Sequence, residues 1–334
     1  MAKILVTAPL HEDAMKVLHN SREAEEVVVL REPPASEGEL VGRVADVDAI
    51  IAVKSVVPLT ENVIMSAPKL KVIARSGIGY DNVDVRAATA RGVWVTIAPA
   101  EEVTESVADH ALALLLCLVR KVCRADGFIK SGRWISNSPE LTSAFTAPNL
   151  YGRTIGIIGL GRIGSRVARR AIGFGMKVIY YDIVRKYDLE EKYGAELTPL
   201  ERLLKESDFI VIAVPLTDQT RNMIGERELR LMKRTAFIIN IARGPIINHN
   251  ALVKALEERI IAGAALDVFY KEPLPPDDPL LRLDNVVLTP HIAANTYEGR
   301  KAQQIVAVEE ALRVLRGEEP LYPVNPEVKK VKTL

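Results

Sequence analysis

Three polar side chains stand just beyond short apolar runs. Arg243 follows Asn240-Ile-Ala, Glu272 follows Leu266-Asp-Val-Phe-Tyr-Lys, and His291 follows Leu288-Thr-Pro. Histidine exchanges a proton near neutral pH. A neighbouring carboxylate favours its charged form. Arginine offers a planar, permanent cation that matches a carboxylate. The set suits reduction of a carbonyl beside a carboxylate, which needs a hydride donor, a proton donor and a fixed cation at the oxygen. The other histidines read differently. His11, His19 and His249 read as structural or solvated, and His110, on an apolar helix, reads as a satisfied packing residue.

A hydride donor has a candidate cradle. Gly159-Leu-Gly161-Arg-Ile-Gly164 fits the G-x-G-x-x-G pattern between a buried strand and an amphipathic helix. Gly159 permits a tight turn, Gly161 lets backbone approach a pyrophosphate, and Gly164 allows close packing. The helix start then offers free N–H groups and a partial positive charge to phosphates. Asp182, at the end of the next strand, lies 18 residues after Gly164, placed to accept from both hydroxyls of an adenosine ribose. A carboxylate there repels a 2′-phosphate, so the expected cofactor is NAD rather than NADP. Arg185, three residues on, is the cation that argues otherwise, and it reads as a solvated surface residue.

The elements that must carry these residues alternate strand and helix, the pattern of parallel sheets. In the first hundred residues the strands fall at Lys3–Thr7, Val27–Leu30, Ala49–Val53, Val72–Ala74 and Val93–Thr96. A helix spans Glu12–Asn20, and another, opened by a Ser36/Glu39 capping box, spans Ser36–Val44. A long apolar helix follows over Thr104–Arg120. A second alternation begins at Thr154–Ile158, with a helix over Arg162–Phe174 and strands at Lys177–Tyr181, Phe209–Ala213, Ala236–Asn240, Ala264–Leu266 and Val286–Leu288. Ala293–Arg316 reads as a long helix, and the tail carrying Pro320, Pro323 and Pro326 as an extended strap.

Bulk properties narrow the function. A chain of 334 residues suits two α/β domains. With 44 Lys plus Arg against 43 Asp plus Glu, there is no electrostatic case for nucleic acid or an anionic membrane as partner. The longest apolar run, Ala111–Val119, falls far short of the ~20 residues a membrane span needs. No signal peptide is visible, so a cytoplasmic location is expected. Cys117 and Cys123, six residues apart in a helical pattern, are expected on different faces, unsuited to a disulfide, and no metal site is expected. Only three glutamines occur, a bias that leans towards a thermophilic source.

The sequence resembles the D-isomer-specific 2-hydroxyacid dehydrogenase family. The resemblance is carried, in order and over nearly the whole chain, by Arg75-Ser-Gly-Ile-Gly-Tyr-Asp-Asn82, Thr104-Glu-Ser-Val-Ala-Asp109, Gly156-Ile-Ile-Gly-Leu-Gly-Arg-Ile-Gly164, Pro215-Leu-Thr-Asp-Gln-Thr220, Asn240-Ile-Ala-Arg-Gly244, Leu266-Asp-Val-Phe-Tyr-Lys-Glu-Pro273 and Thr289-Pro-His-Ile292. It implies an α/β fold of two doubly wound parallel-sheet domains. A Rossmann NAD-binding domain, 103–292, is inserted in a discontinuous flavodoxin-like substrate domain, 1–102 and 293–334. The two are expected to close on cofactor and substrate. His291 would be the acid/base, Glu272 its partner, and Arg243 the substrate cation. Arg162 and Ile163 would lie along the pyrophosphate. Thr104, Pro215, Thr220, Ile241 and Ala242 would line the cofactor cleft, and Asp267 would reach the nicotinamide carboxamide. Ser76, Gly77, Ile78 and Gly79, with Lys54, would receive the substrate. The stretch from Thr104 to Pro148, with Trp134, would form a two-fold dimer contact. The run Asn248-His249-Asn250 departs from the family's usual acidic residue, and Asn caps a helix about as well as Asp. A small 2-keto acid, glyoxylate or hydroxypyruvate, is the expected substrate. The alternatives are a 3-phosphoglycerate dehydrogenase without its regulatory domain and, in another class, an NAD(H)-sensing corepressor-like protein. A phosphorylated substrate would need cations at Lys54 or Arg75.

Overall fold

The computed structural model describes residues 2–53, 57–134 and 139–331. Contacts within the chain divide it into two units, Met1–Val103 with Asn295–Leu334, and Thr104–Ala294. Among the described residues no helix is long and apolar enough to cross a membrane.

The first unit is built on five parallel strands, β1 (Ala2–Val6), β2 (Ala24–Val29), β3 (Ala49–Ala52), β4 (Val72–Arg75) and β5 (Trp94–Thr96), ordered β2-β1-β3-β4-β5. This is the flavodoxin-like order. Side chains alternate across the sheet, so both faces become cores. Ile4, Val6 and Ile51 pack on one side with Ala14 and Leu18, and Leu5, Ile50 and Ile73 on the other with Leu40, Val63 and Ile64. The first core also takes Ala307, Val308 and Ala311 from the helix Tyr297–Leu315. The chain therefore returns to its starting sheet after completing the second unit. That helix starts later than its apolar pattern suggests, because Thr296 caps it by accepting the Gly299 N–H at 3.0 Å. The tail does form a strap. Ile97 donates to the Tyr322 carbonyl at 3.1 Å and Val324 to the Val95 carbonyl at 2.8 Å, which covers the β5 edge. Buried Glu310 fixes the strap by accepting from the Leu321 and Tyr322 N–H groups at 3.0 and 2.8 Å.

The second unit has seven parallel strands, β6 (Thr154–Ile158), β7 (Lys177–Tyr181), β8 (Glu196–Leu197), β9 (Phe209–Ile212), β10 (Phe237–Asn240), β11 (Gly263–Leu266) and β12 (Val286–Leu288). Their order is β12-β11-β10-β9-β6-β7-β8, so the winding reverses between β6 and β9. Ligands bind outside the carboxyl ends of such strands at the reversal.

Three local expectations are corrected. The helix starting near Ser36 is short, Glu37–Val41, and its box is incomplete: Ser36 accepts from Glu39 N–H, but the Glu39 carboxylate accepts from Ala35, one residue too early. The reciprocal carboxylate bond occurs at another helix, where Gly225 N–H donates to Glu228 at 3.1 Å. The apolar helix, Glu101–Val119, ends before Cys123. Lys121 takes a left-handed conformation (φ 55°) and a new helix begins, Val122–Lys130. Burial, and then the neighbouring Cys123 thiol, pushes the Cys117 pKa up. Both remain free cysteines.

Candidate active site

The glycine turn follows β6. Gly159 has φ 94°, and a Cβ there would lie 2.6 Å from Val214 Cγ1 and 2.9 Å from the Ala213 carbonyl oxygen. A Cβ on Gly164 would run into the Gly159 carbonyl. Gly161 faces open space and begins the helix Arg162–Gly173 with no side-chain cap of its own, and the first N–H groups of a helix find no acceptor within it. Asp182, at the end of β7, accepts from Leu160 N–H at 2.9 Å and Val184 N–H at 3.1 Å. Each carboxylate oxygen keeps acceptor capacity. Arg162 is exposed and Ile163 half-buried at the same helix start. A glycine-lined helix start beside a carboxylate fits the pyrophosphate and ribose of a dinucleotide.

On the other side of the reversal, three strand ends carry the candidate chemistry. Buried Asn240 closes the turn after β10: its amide donates to the Arg243 carbonyl at 2.9 Å and its oxygen accepts from Ala242 at 3.0 Å. Arg243 donates to the Ala242 carbonyl at 2.7 Å. Gly244 lies so close to the loop after β11 that a Cβ would overlap the Phe269 carbonyl and the Tyr270 nitrogen. That approach brings Glu272 towards Arg243. Glu272 accepts from Phe269 N–H at 3.0 Å and meets His291 Nδ1 at 2.6 Å. Burial works against the Glu272 charge. The His291 hydrogen bond, the Phe269 N–H and the Arg243 charge outweigh it and hold the carboxyl below its ordinary range.

His291 itself has φ 53°. A non-glycine residue in that region costs about 1–2 kcal/mol and persists only where its surroundings fix it. The fixing group is Asp267, fully buried. The Asp267 carbonyl accepts from His291 N–H at 2.8 Å. Its carboxylate accepts from Ile292 N–H at 2.9 Å, Ala293 N–H at 2.8 Å and the Thr289 hydroxyl at 2.6 Å. Burial opposes the Asp267 charge, but His110, Thr289 and the two amides hold its pKa below normal. Sequence reading had no signal for this clamp, nor for Asn240.

The remaining candidates are placed as follows. Thr220 Oγ donates to the Pro215 carbonyl at 2.7 Å, so both belong to one folded loop after β9. Ala242 is partly accessible, whereas Ile241 and Thr104 are buried, at 6% and 1% exposure. Thr104 therefore presents almost no surface. Asp267 likewise has no exposed surface; its visible task is holding the His291 loop. In the first unit, Gly77 has φ 150° in the loop Ser76, Gly77, Ile78, Gly79 after β4. Arg75 braces that loop, donating to the Gly79 carbonyl at 3.1 Å and to Ala52 at 3.4 Å. Lys54 lies outside the described residues.

A glycine-turn dinucleotide cradle with arginine, glutamate and histidine at adjoining strand ends defines a nicotinamide-dependent oxidoreductase. Residues 112–293 match the family model described as the D-isomer specific 2-hydroxyacid dehydrogenase NAD binding domain. The chain belongs to that family. It is 47% identical over 302 residues to a glyoxylate reductase of Korarchaeum cryptofilum, covering 90% of each chain. It is 45% identical to a glyoxylate reductase of Pyrococcus furiosus, covering 99% of this chain and 97% of the relative. Its fold is similar to the crystal structure of an NADPH-dependent glyoxylate/hydroxypyruvate reductase of Sinorhizobium meliloti, with TM-score 0.83 and 32% identity over 98% of this chain and 99% of the other.

Proposed function

We propose that the protein reduces glyoxylate and hydroxypyruvate to the corresponding 2-hydroxy acids, using NADH in preference to NADPH. The observation that carries this reading is the 2.6 Å His291–Glu272 pair beside the Arg243 turn. A bound reduced nicotinamide supplies the hydride. Because His291 Nδ1 faces Glu272, Nε2 is the nitrogen left to give a proton to the carbonyl oxygen. Glu272 orients the ring and stabilises its charged form. Arg243 holds and polarises the substrate. The backbone of Gly77–Gly79 takes the substrate carboxylate. Arg162, Ile163, Pro215 and Thr220 line the cofactor site.

Two features support the finer choices. Asp182 would repel a 2′-phosphate, and Arg185 is engaged by Glu190 at 2.9 Å, so its charge is already answered. This reading separates the protein from the NADPH-dependent Sinorhizobium reductase. Arg75 donates to backbone carbonyls, that of Gly79 in its own loop and that of Ala52 at the end of β3, which favours a substrate without a phosphate. The relatives named glyoxylate reductase support the same substrate. We also read the region 104–148 as the contact of a homodimer, with Trp134 55% exposed there.

The test is catalytic efficiency with NADH for glyoxylate, hydroxypyruvate and phosphohydroxypyruvate, in the natural chain and in His291→Ala. The first two substrates should be preferred, and the variant should lose ~10²–10⁴-fold in turnover. A clear preference for the phosphorylated acid, or near-normal turnover in the variant, overturns the reading. Absence of turnover with every keto acid would favour a nucleotide-sensing role instead.

A further inference from the structure

The loop that carries His291 is joined by a second histidine that the proposed chemistry does not use. His110 projects from the helix Glu101–Val119, and its Nε2 lies 3.0 Å from Thr289 Oγ and 3.4 Å from Asp267 Oδ1. The direction of these bonds follows from proton counting. Asp267 is a buried carboxylate that already accepts two backbone amides, so it can only accept. The Thr289 hydroxyl has one proton, and at 2.6 Å from Asp267 Oδ1 it must donate it there. The side of Thr289 Oγ that faces His110 is then a lone pair. His110 must be the donor, with its proton on Nε2.

We propose that His110 is a positioning residue for His291, its Nε2–H orienting the Thr289 hydroxyl and thereby the Asp267 carboxylate that clamps the loop Thr289–Ala293. The proposal rests on the assignment of His291 as acid/base. The chain of contacts is continuous: His110 to Thr289, Thr289 to Asp267, and Asp267 to the amides of Ile292 and Ala293, while its own carbonyl accepts from His291. The loop needs such a clamp because His291 sits at φ 53°. His110 is 19% exposed at its side chain and approaches from a helix rather than from a strand end. It makes no substrate contact in this scheme. Its removal acts on how well the imidazole is aimed, which affects the reacting complex more than binding.

The experiment combines kinetics and amide hydrogen exchange on the full-length protein. His110→Ala should lower kcat for glyoxylate roughly tenfold while KM for glyoxylate and NADH changes less than about twofold, and should speed exchange at the Ile292 and Ala293 amides. His110→Gln, whose amide is a neutral donor, should recover most of the loss. Thr289→Val should reproduce the alanine phenotype, and the double variant should be no worse than either single one. Unchanged kcat and exchange in His110→Ala, a glutamine variant no better than alanine, or additive effects with Thr289→Val would overturn the proposal. The exchange readout is independent of turnover. If His291→Ala proves active, the acid/base reading falls while the His110 link is still judged by the two amides.

Discussion

Replacing Glu272 by glutamine probes the proposed proton donor while keeping the shape of the site. Glutamine retains an oxygen that can accept the Phe269 N–H now bonded to Glu272 at 3.0 Å, so the loop after β11 should keep its course. What disappears is a negative charge 2.6 Å from His291 Nδ1, between side chains 48% and 37% exposed. A hydrogen bond to a charged group contributes about 1.5–3 kcal/mol when well shielded. Solvent at this exposure screens it, leaving about 1 kcal/mol. Since about 1.4 kcal/mol corresponds to a tenfold change, an interaction of about 1 kcal/mol corresponds to about a fivefold change in rate on the limb it controls. Its sign follows from reciprocity. His291 helps hold the Glu272 carboxyl below its ordinary range, so the ionised carboxylate equally favours the imidazolium. Without it, the alkaline limb of the reduction profile should move to lower pH. In the oxidation direction, where a neutral ring must take the proton, the acid limb should move the same way. Initial rates of reduced-nicotinamide loss or gain across pH test both. An alkaline limb that stays in place, or moves up, refutes the pairing as a catalytic device. The same interaction bears on stability. Because the folded Glu272 pKa lies below the ordinary carboxylate value, its contribution is present above that ordinary value and is lost as pH falls through the folded pKa.

Asp182→Ala should narrow the preference for NADH over NADPH, measured as the ratio of kcat/KM values; equal efficiencies in the natural protein would contradict the ribose role. Gly244→Ala should destabilise the second unit by about 1–3 kcal/mol and lower turnover, since the new methyl meets Phe269 and Tyr270 backbone that cannot swing away; a natural melting temperature and rate would contradict the close-approach argument. Light scattering at micromolar concentration should return the mass of a dimer, and a monomer would remove the assembly assigned to the region around Trp134.

The parts of this molecule legible in sequence are those whose cause is local. Buried parallel strands such as Phe209–Ile212 announce themselves as apolar runs between turns, and both sheets were recoverable that way. β8 was not, because two residues carry no alternation to read. The apolar pattern starts the helix Tyr297–Leu315 too early, at Ala293, whose amide is taken by a distant carboxylate. The break at Lys121 was invisible for a similar reason: an apolar stripe says that a helix is buried and says little about where its axis turns.

The candidate site divides along the same line. Gly159, Gly164 and Asp182 act within one strand-turn-helix-strand unit, so residue type and spacing sufficed to find them. Arg243, Glu272 and His291 were readable because parallel strands deliver their following residues to a common edge, whatever their separation in sequence. Residues that hold these groups in place obey no such rule. Asn240 is found only when its amide is seen closing the Arg243 turn. His110 and Thr289 stand 179 residues apart, and only the packing of the long apolar helix brings the ring to the hydroxyl. On its own helix His110 looks like any satisfied core histidine, and hydrogen-bonded it is. Its partner is what changes its meaning, since a bond to the loop that aims a proton donor has consequences that a bond to an inert carbonyl would not. Residue types mark where chemistry is available, but the assignment of positioning groups has to wait for three-dimensional contacts, because the free energy that orients the imidazole comes from groups chosen by packing.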